Sequence, residues 1–101
     1  MAHYQMILTW DIRPGREQEY SEFINNRFAP SLVEIGLPPS DVFYTAYGKA
    51  PQIMVILEVP NQTTLKRAID SERWTQMKGD LLDLIDNYSE RVIEAGMGSY
   101  F

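Results

Sequence analysis

Glu58 is the residue whose type and setting point most directly to chemistry. It closes an otherwise apolar run, Gln52-Ile53-Met54-Val55-Ile56-Leu57-Glu58-Val59. A carboxylate in such a run must find a donor, take up a proton or reach water, because burying it unpaired is costly. The residue type supports two readings, a general base at the mouth of a cavity or a carboxylate paired at a strand end. Asp11 and Arg13, which flank Ile12, and Arg91 further on are the charged groups that could partner it. By position they equally suit edges and turns at the surface. His3 is the single histidine, so a multi-His metal site is excluded and one imidazole at most is available for acid–base work. At the start of the chain it reads first as an exposed strand-end group. There is no cysteine, hence no thiol nucleophile, disulfide or Cys-ligated metal. Ser71 and Ser89 have roles as a helix cap and a strand start, and no set of nucleophile, base and orienting group is visible. No metal and no cofactor is expected. Trp10, Tyr44, Tyr47 and Trp74 could stack on a flat ligand, although aromatic side chains at this frequency mostly fill core.

The elements that must position these groups belong to one domain. A chain of 101 residues supports a single core spanning 1–101, and 45% hydrophobic with 23% charged residues is ordinary globular composition. The net charge of −5, with basic residues scattered from Arg13 to Arg91, argues against nucleic acid as a partner. No apolar segment approaches the roughly 18 residues that span a bilayer, and the first residues do not resemble a signal peptide. The expectation is a cytoplasmic protein without a membrane partner.

A first strand is expected at Tyr4 to Ile12, ended by Arg13-Pro14-Gly15. From Arg16 to about Ile35 the residues Tyr20, Phe23, Ile24, Phe28, Leu32 and Ile35 recur at three- and four-residue steps, which predicts a helix. Pro30 should kink or split it near Arg27. Gly36 is the expected stop, and Leu37-Pro38-Pro39-Ser40 a stiff connector. Strand two is expected from Asp41 to Tyr47, a turn at Gly48-Lys49-Ala50-Pro51, and strand three from Gln52 to Val59. Asn61 or Thr63 can cap a short helix through Ile69. Ser71 can cap a longer one carrying Trp74, Met77, Leu81, Leu84, Ile85 and Tyr88. Ser89 to Ala95 reads as strand four, and Gly96 to Phe101 as a tail whose two aromatics suggest docking. The order β-α-β-β-α-β is the ferredoxin-like α+β pattern with a four-stranded antiparallel sheet.

Alternate strand residues point to opposite faces. Tyr4, Met6, Leu8, Trp10 and Ile12, with Ile53, Val55, Leu57 and Val59, form sets suited to meeting the helices. The opposite sets, His3, Gln5, Ile7, Thr9 and Asp11 with Gln52, Met54, Ile56 and Glu58, are mixed. An antiparallel sheet with one wet face should alternate more cleanly, so this second face also calls for cover. The chain has helix for one face, and a second copy of the same chain is the natural supplier for the other. The resulting cavity would be lined by Gln5, Thr9, Tyr47, Met54 and Ile56, with Glu58 as its acid–base group.

With this order, the Pro-Gly turn after the first strand and Ser71-Glu72-Arg73-Trp74 opening the last helix, the chain resembles the dimeric α/β barrel superfamily. Its similarity is greatest to the antibiotic-biosynthesis-monooxygenase-like and NIPSNAP-like branches. The resemblance implies two sheets paired face to face with helices outside, and a homodimer. Among the activities it implies are cofactor-free oxygenation of aromatics, small-molecule isomerisation and plain ligand binding. Haem-degrading members carry an Asn on the first strand, a Trp after the third and a His in the last helix. Those places here hold Leu8, Pro60 and Lys78, so haem degradation is not implied. The functional expectation is a homodimeric barrel that binds a small hydrophobic or aromatic metabolite, as a cofactor-independent monooxygenase or isomerase or as a binding module without chemistry. A third possibility is an assembly domain filled by its own side chains.

Overall fold

The computed structural model describes residues 3–45 and 51–95. Tyr47, the expected turn at 48–50 and the tail 96–101 lie outside the described residues. The elements are β1 (His3–Ile12), α1 (Glu17–Phe23), a π-helical segment (Ile24–Phe28), α2 (Ala29–Glu34), β2 (Pro39–Tyr44), β3 (Ile53–Val59), α3 (Gln62–Ile69), α4 (Glu72–Leu82) and β4 (Ile85–Ala95). The strands form one antiparallel sheet in the order β2-β3-β1-β4, the expected ferredoxin-like α+β arrangement.

All the helices described serve one face of that sheet. Met6, Leu8 and Trp10 of β1 and Ile53, Val55, Leu57 and Val59 of β3 are buried in a single cluster with Tyr20, Phe23, Phe28, Leu32, Trp74, Met77 and Leu81 from the helices. Trp10 is its hub. It is fully buried, meets Tyr20 and Phe28 edge-on and stacks on Tyr88 at 6.2 Å between ring centroids. Its indole N–H donates to the Tyr20 hydroxyl at 2.9 Å, so the one polar atom of the ring is satisfied inside the core. Burial pushes the Tyr20 hydroxyl up to about 12, against the opposing pull of the Trp10 hydrogen bond.

Pro30 does not split the first helix. Its missing N–H and its ring would disrupt a regular turn, and the chain absorbs this by widening the preceding turn. The Ala29 amide donates to the Ile24 carbonyl, five residues back, and helical structure resumes through Glu34. The extra residue in that turn lets Phe23 and Phe28, five apart, both reach the core. The two expected caps are in place: Asn61 Oδ1 accepts from the Thr64 amide at 2.8 Å and Ser71 Oγ from the Trp74 amide at 3.2 Å.

The last helix is shorter than its apolar spacing predicts and the last strand longer. Leu84, Ile85 and Tyr88 continue a helical period, yet α4 ends at Leu82 and Ile85 already pairs with Ile12. Arg13 enforces the stop. Its guanidinium donates to the Asp83 and Ile85 carbonyls at 3.0 Å each and to the Asp86 carboxylate at 3.2 Å, while its amide donates to the Leu84 carbonyl at 3.0 Å. A bulge then follows: Thr9 pairs with Ser89 but Asp11 with Asp86, and Asn87 takes up the extra residue with φ 59°. This bulge turns Tyr88 onto Trp10. Strand two also begins earlier than its apolar residues suggest, at Pro39.

Tyr20→Phe should cost about 1–3 kcal/mol in chemical unfolding, because the Trp10 N–H loses its acceptor in the core. Tyr20 is held protonated in the fold, so its contribution is complete below pH 10 and lost as pH rises towards about 12. The variant should therefore show a flatter fall in stability across that alkaline interval; parallel profiles would refute the assignment.

Candidate functional site

The face of the sheet turned away from the helices is built by register. Gln5 stands opposite Glu58, Ile7 opposite Ile56 and Thr9 opposite Met54, while Phe43 of β2 pairs with Met54. On the other side of β1, Ile93 faces Gln5, Arg91 faces Ile7 and Ser89 faces Thr9. Directly paired residues project to the same side, so these residues share one surface. Its centre is apolar. Ile7 is only 9% exposed and yet does not belong to the helix-side cluster, because its neighbours lie on the opposite face. Phe43 is 51% exposed. Among the described residues no element covers this surface.

Gln5, Thr9, Met54, Ile56 and Glu58 thus lie together as the alternation requires. Trp10 and Trp74 do not join them, since both are buried under the helices. Tyr44 pairs with Ile53, which places it on the helix side, where it is 75% exposed. The expected partners of Glu58 need correction. Arg13 belongs to the opposite end of β1 and is engaged with Asp86. Asp11, also at that end, accepts from the Gln52 amide at 2.8 Å and from Asn87 Nδ2 at 2.9 Å. Those bonds, the Asn87 one foremost, hold the Asp11 carboxyl below the usual carboxylate range.

Glu58 is instead met by its cross-strand neighbours. Gln5 Nε2 donates to Glu58 Oε2 at 3.0 Å, and His3 Nε2 lies 3.8 Å from Glu58 Oε1. The His3 and Glu58 side chains are 49% and 37% exposed, so both are within reach of solvent and of a ligand. A concavity of about 650 Å³ opens beside them, lined by His3, Gly36, Pro38, Glu58, Val59, Pro60 and Asn61. Its lining is mainly carbon, and its volume falls within the roughly 300–1,000 Å³ usual for small-molecule sites. Local structure fixes its rim. Gly36 ends the first helix at φ 89°, a conformation that favours glycine, and a Cβ there would meet Thr64 Cγ2 at 3.3 Å. The Glu58 amide donates to the Pro38 carbonyl at 3.0 Å, which ties the connector to β3. Sequence reasoning overlooked this groove. Its signal was the pair of prolines, Pro38 before β2 and Pro60 after β3, which antiparallel pairing brings to the same end of the sheet.

A second hollow, of about 420 Å³, lies between the π-helical segment, α2 and α4. Both of its arginines are engaged, Arg73 with Glu34 at 2.6 Å and Arg27 with Asp80 at 2.8 Å, while Glu72 stands at the first turn of α4. No group of His, Asp and Glu suited to a metal ion occurs among the described residues. None of the helices described is long and apolar enough to cross a membrane.

The fold, a four-stranded antiparallel sheet with its described helices on one face, matches the α+β ferredoxin-like arrangement of NIPSNAP-like structures. The chain is similar to a NIPSNAP family protein from Agrobacterium tumefaciens, with 19% identity, a TM-score of 0.66 and coverage of 92% of this chain and 91% of that one. It is similar also to an ethyl tert-butyl ether degradation (EthD) family protein from Bacillus halodurans, with 15% identity, a TM-score of 0.70 and coverage of 90% and 96%. A protein of unknown function from Bacteroides thetaiotaomicron, described as a possible oxidoreductase, gives 16% identity, a TM-score of 0.70 and coverage of 92% and 97%. At these identities the likeness establishes the fold. No family model matches the chain, and no curated protein does.

Asp11 contributes stability that is complete above its ordinary value of 3.8 and is lost as pH falls through its lower folded value. Asp11→Asn should flatten the acid limb of the stability profile below pH 3.8, measured by urea unfolding. An unchanged slope would show that the Gln52 and Asn87 bonds do not hold it.

Proposed function

We propose that this chain is a homodimeric barrel protein that binds a small hydrophobic or aromatic molecule, with Glu58 as the acid–base or hydrogen-bonding group at the mouth of the cavity. The observation that carries the reading is the apolar strip formed by Ile7, the half-buried Met54 and Ile56 and the exposed Phe43, on the face of the sheet opposite the described helices. Burial of such side chains is worth about 1.5–3 kcal/mol each when complete, and an identical face on a second copy supplies the complementary surface. Gln5, Thr9 and Glu58 then become the polar points of a largely apolar interior, alongside Met54 and Ile56. The dimeric fold class supports the pairing.

A catalytic version of this reading is favoured by the imidazole 3.8 Å from the Glu58 carboxylate. In it Glu58 takes a proton from an aromatic substrate held in a water-poor cavity; the resulting anion is then either oxidised by dioxygen, which supplies the oxygen atom and leaves its second oxygen as water, or takes the proton back from Glu58 at another carbon in an isomerisation. Without that step the same site is a binding module.

Sedimentation equilibrium at micromolar concentration should give a dimer, and Ile56→Asp should shift it to a monomer with an unchanged far-ultraviolet circular dichroism spectrum. A wild-type monomer under these conditions refutes the pairing. Glu58→Gln should leave the unfolding free energy within about 1 kcal/mol of the parent, because the side chain is partly exposed and near in shape. Its binding of 2-naphthol, followed by fluorescence, should weaken about tenfold or more. A large loss of stability with unchanged binding would make Glu58 a structural residue.

A further inference from the structure

We infer that the groove at the end of the sheet, between His3, Glu58, Pro38 and Pro60, is a site for flat aromatic molecules that carry a hydroxyl group, that is, phenols and their enol analogues. The inference rests on the reading of Glu58 as a ligand-binding group and adds to it a place and a ligand class.

Three features converge. The first is the spacing of His3 Nε2 and Glu58 Oε1. At 3.8 Å they are too far apart to bond each other but less than twice a hydrogen-bond length of about 2.8 Å. One oxygen atom can therefore sit within bonding distance of both. A hydroxyl suits that place, because it donates to the carboxylate and accepts from an imidazole N–H in the same pose. A carbonyl or ether oxygen cannot donate to Glu58, and an ammonium group cannot accept from His3. A carboxylate would set like charge against Glu58.

The second feature is the orientation of Glu58. Gln5 Nε2 occupies Oε2 at 3.0 Å, which fixes the carboxylate and leaves Oε1 on the side of His3. The third is the wall. Pro38 and Pro60 present apolar rings beside a mainly carbon lining, and the concavity of about 650 Å³ accommodates a one- or two-ring aromatic body. Its rim at Gly36, Pro38 and Asn61 lies at the end of the sheet, where the face carrying His3, Glu58, Ile7 and Ile56 runs out.

The test uses the full chain and two probes of matched shape, 2-naphthol and 2-methoxynaphthalene, titrated in an amide and methyl nuclear magnetic resonance experiment. The expected result is saturable binding of 2-naphthol at least tenfold tighter than of 2-methoxynaphthalene, since the methyl ether removes the proton offered to Glu58. Shift changes should centre on the Gly36 and Asn61 amides and the His3 ring. His3→Ala should reduce the preference for the hydroxyl probe while leaving the unfolding midpoint in place. Equal affinity for the two probes would overturn the inference, as would lack of saturation at millimolar 2-naphthol. Shifts confined to Ile7, Ile56 and Phe43 would also overturn it and would place the ligand in the barrel interior, so the barrel reading would survive. A sedimentation monomer bears on the barrel and leaves the groove standing.

Discussion

A four-stranded sheet has two faces, and every helix among the described residues is committed to one of them. The remaining organisation depends on that asymmetry. On the helix side the chain builds an ordinary close-packed core around Trp10, with the one polar atom of the indole answered by Tyr20. On the other side the same strands place Ile7, buried among its sheet neighbours, and the half-buried Met54 and Ile56, with no helix of the described residues over them. Exposed side chains scattered singly require no partner, but apolar residues contiguous across adjacent central strands form a patch of the kind that marks an interface or a ligand site.

The two ends of the sheet are finished differently, and the difference bears on function. At the end marked by Ile12, polar groups are consumed structurally. Arg13 collects the carbonyls that follow α4, and Asp11 holds the Gln52 amide and the Asn87 bulge. At the end marked by His3, the polar groups are only partly engaged. Glu58 has one oxygen bonded to Gln5 and the other facing an imidazole beyond bonding distance, beside a carbon-lined groove. Incomplete satisfaction next to a concavity is what supports the proposed ligand site at this end of the sheet.

Much of this was legible in the chain. Strict alternation in β1 and β3 separated the two faces correctly, because it depends on nothing but the pleat, and Asn61 and Ser71 announced their helices by local chemistry. What escaped depends on contacts distant in sequence. Leu84, Ile85 and Tyr88 keep a helical period, but Arg13, some 70 residues earlier, takes the carbonyls that would have continued the helix. Pro30 signalled a disturbed turn without saying that the helix would widen rather than break. The neighbours of Glu58 were misassigned to Asp11, Arg13 and Arg91 because strand register is set by non-local pairing, and one choice of register brings Gln5 and His3 to the carboxylate instead.

The central claim is that the uncovered face meets its counterpart on a second copy. The direct measurement is an isotope-filtered nuclear Overhauser experiment on a mixture of labelled and unlabelled chains. Cross-peaks between copies from the methyl groups of Ile7, Met54 and Ile56 and the ring of Phe43 are the predicted result. Cross-peaks from those groups to water and to their own chain alone would contradict the account.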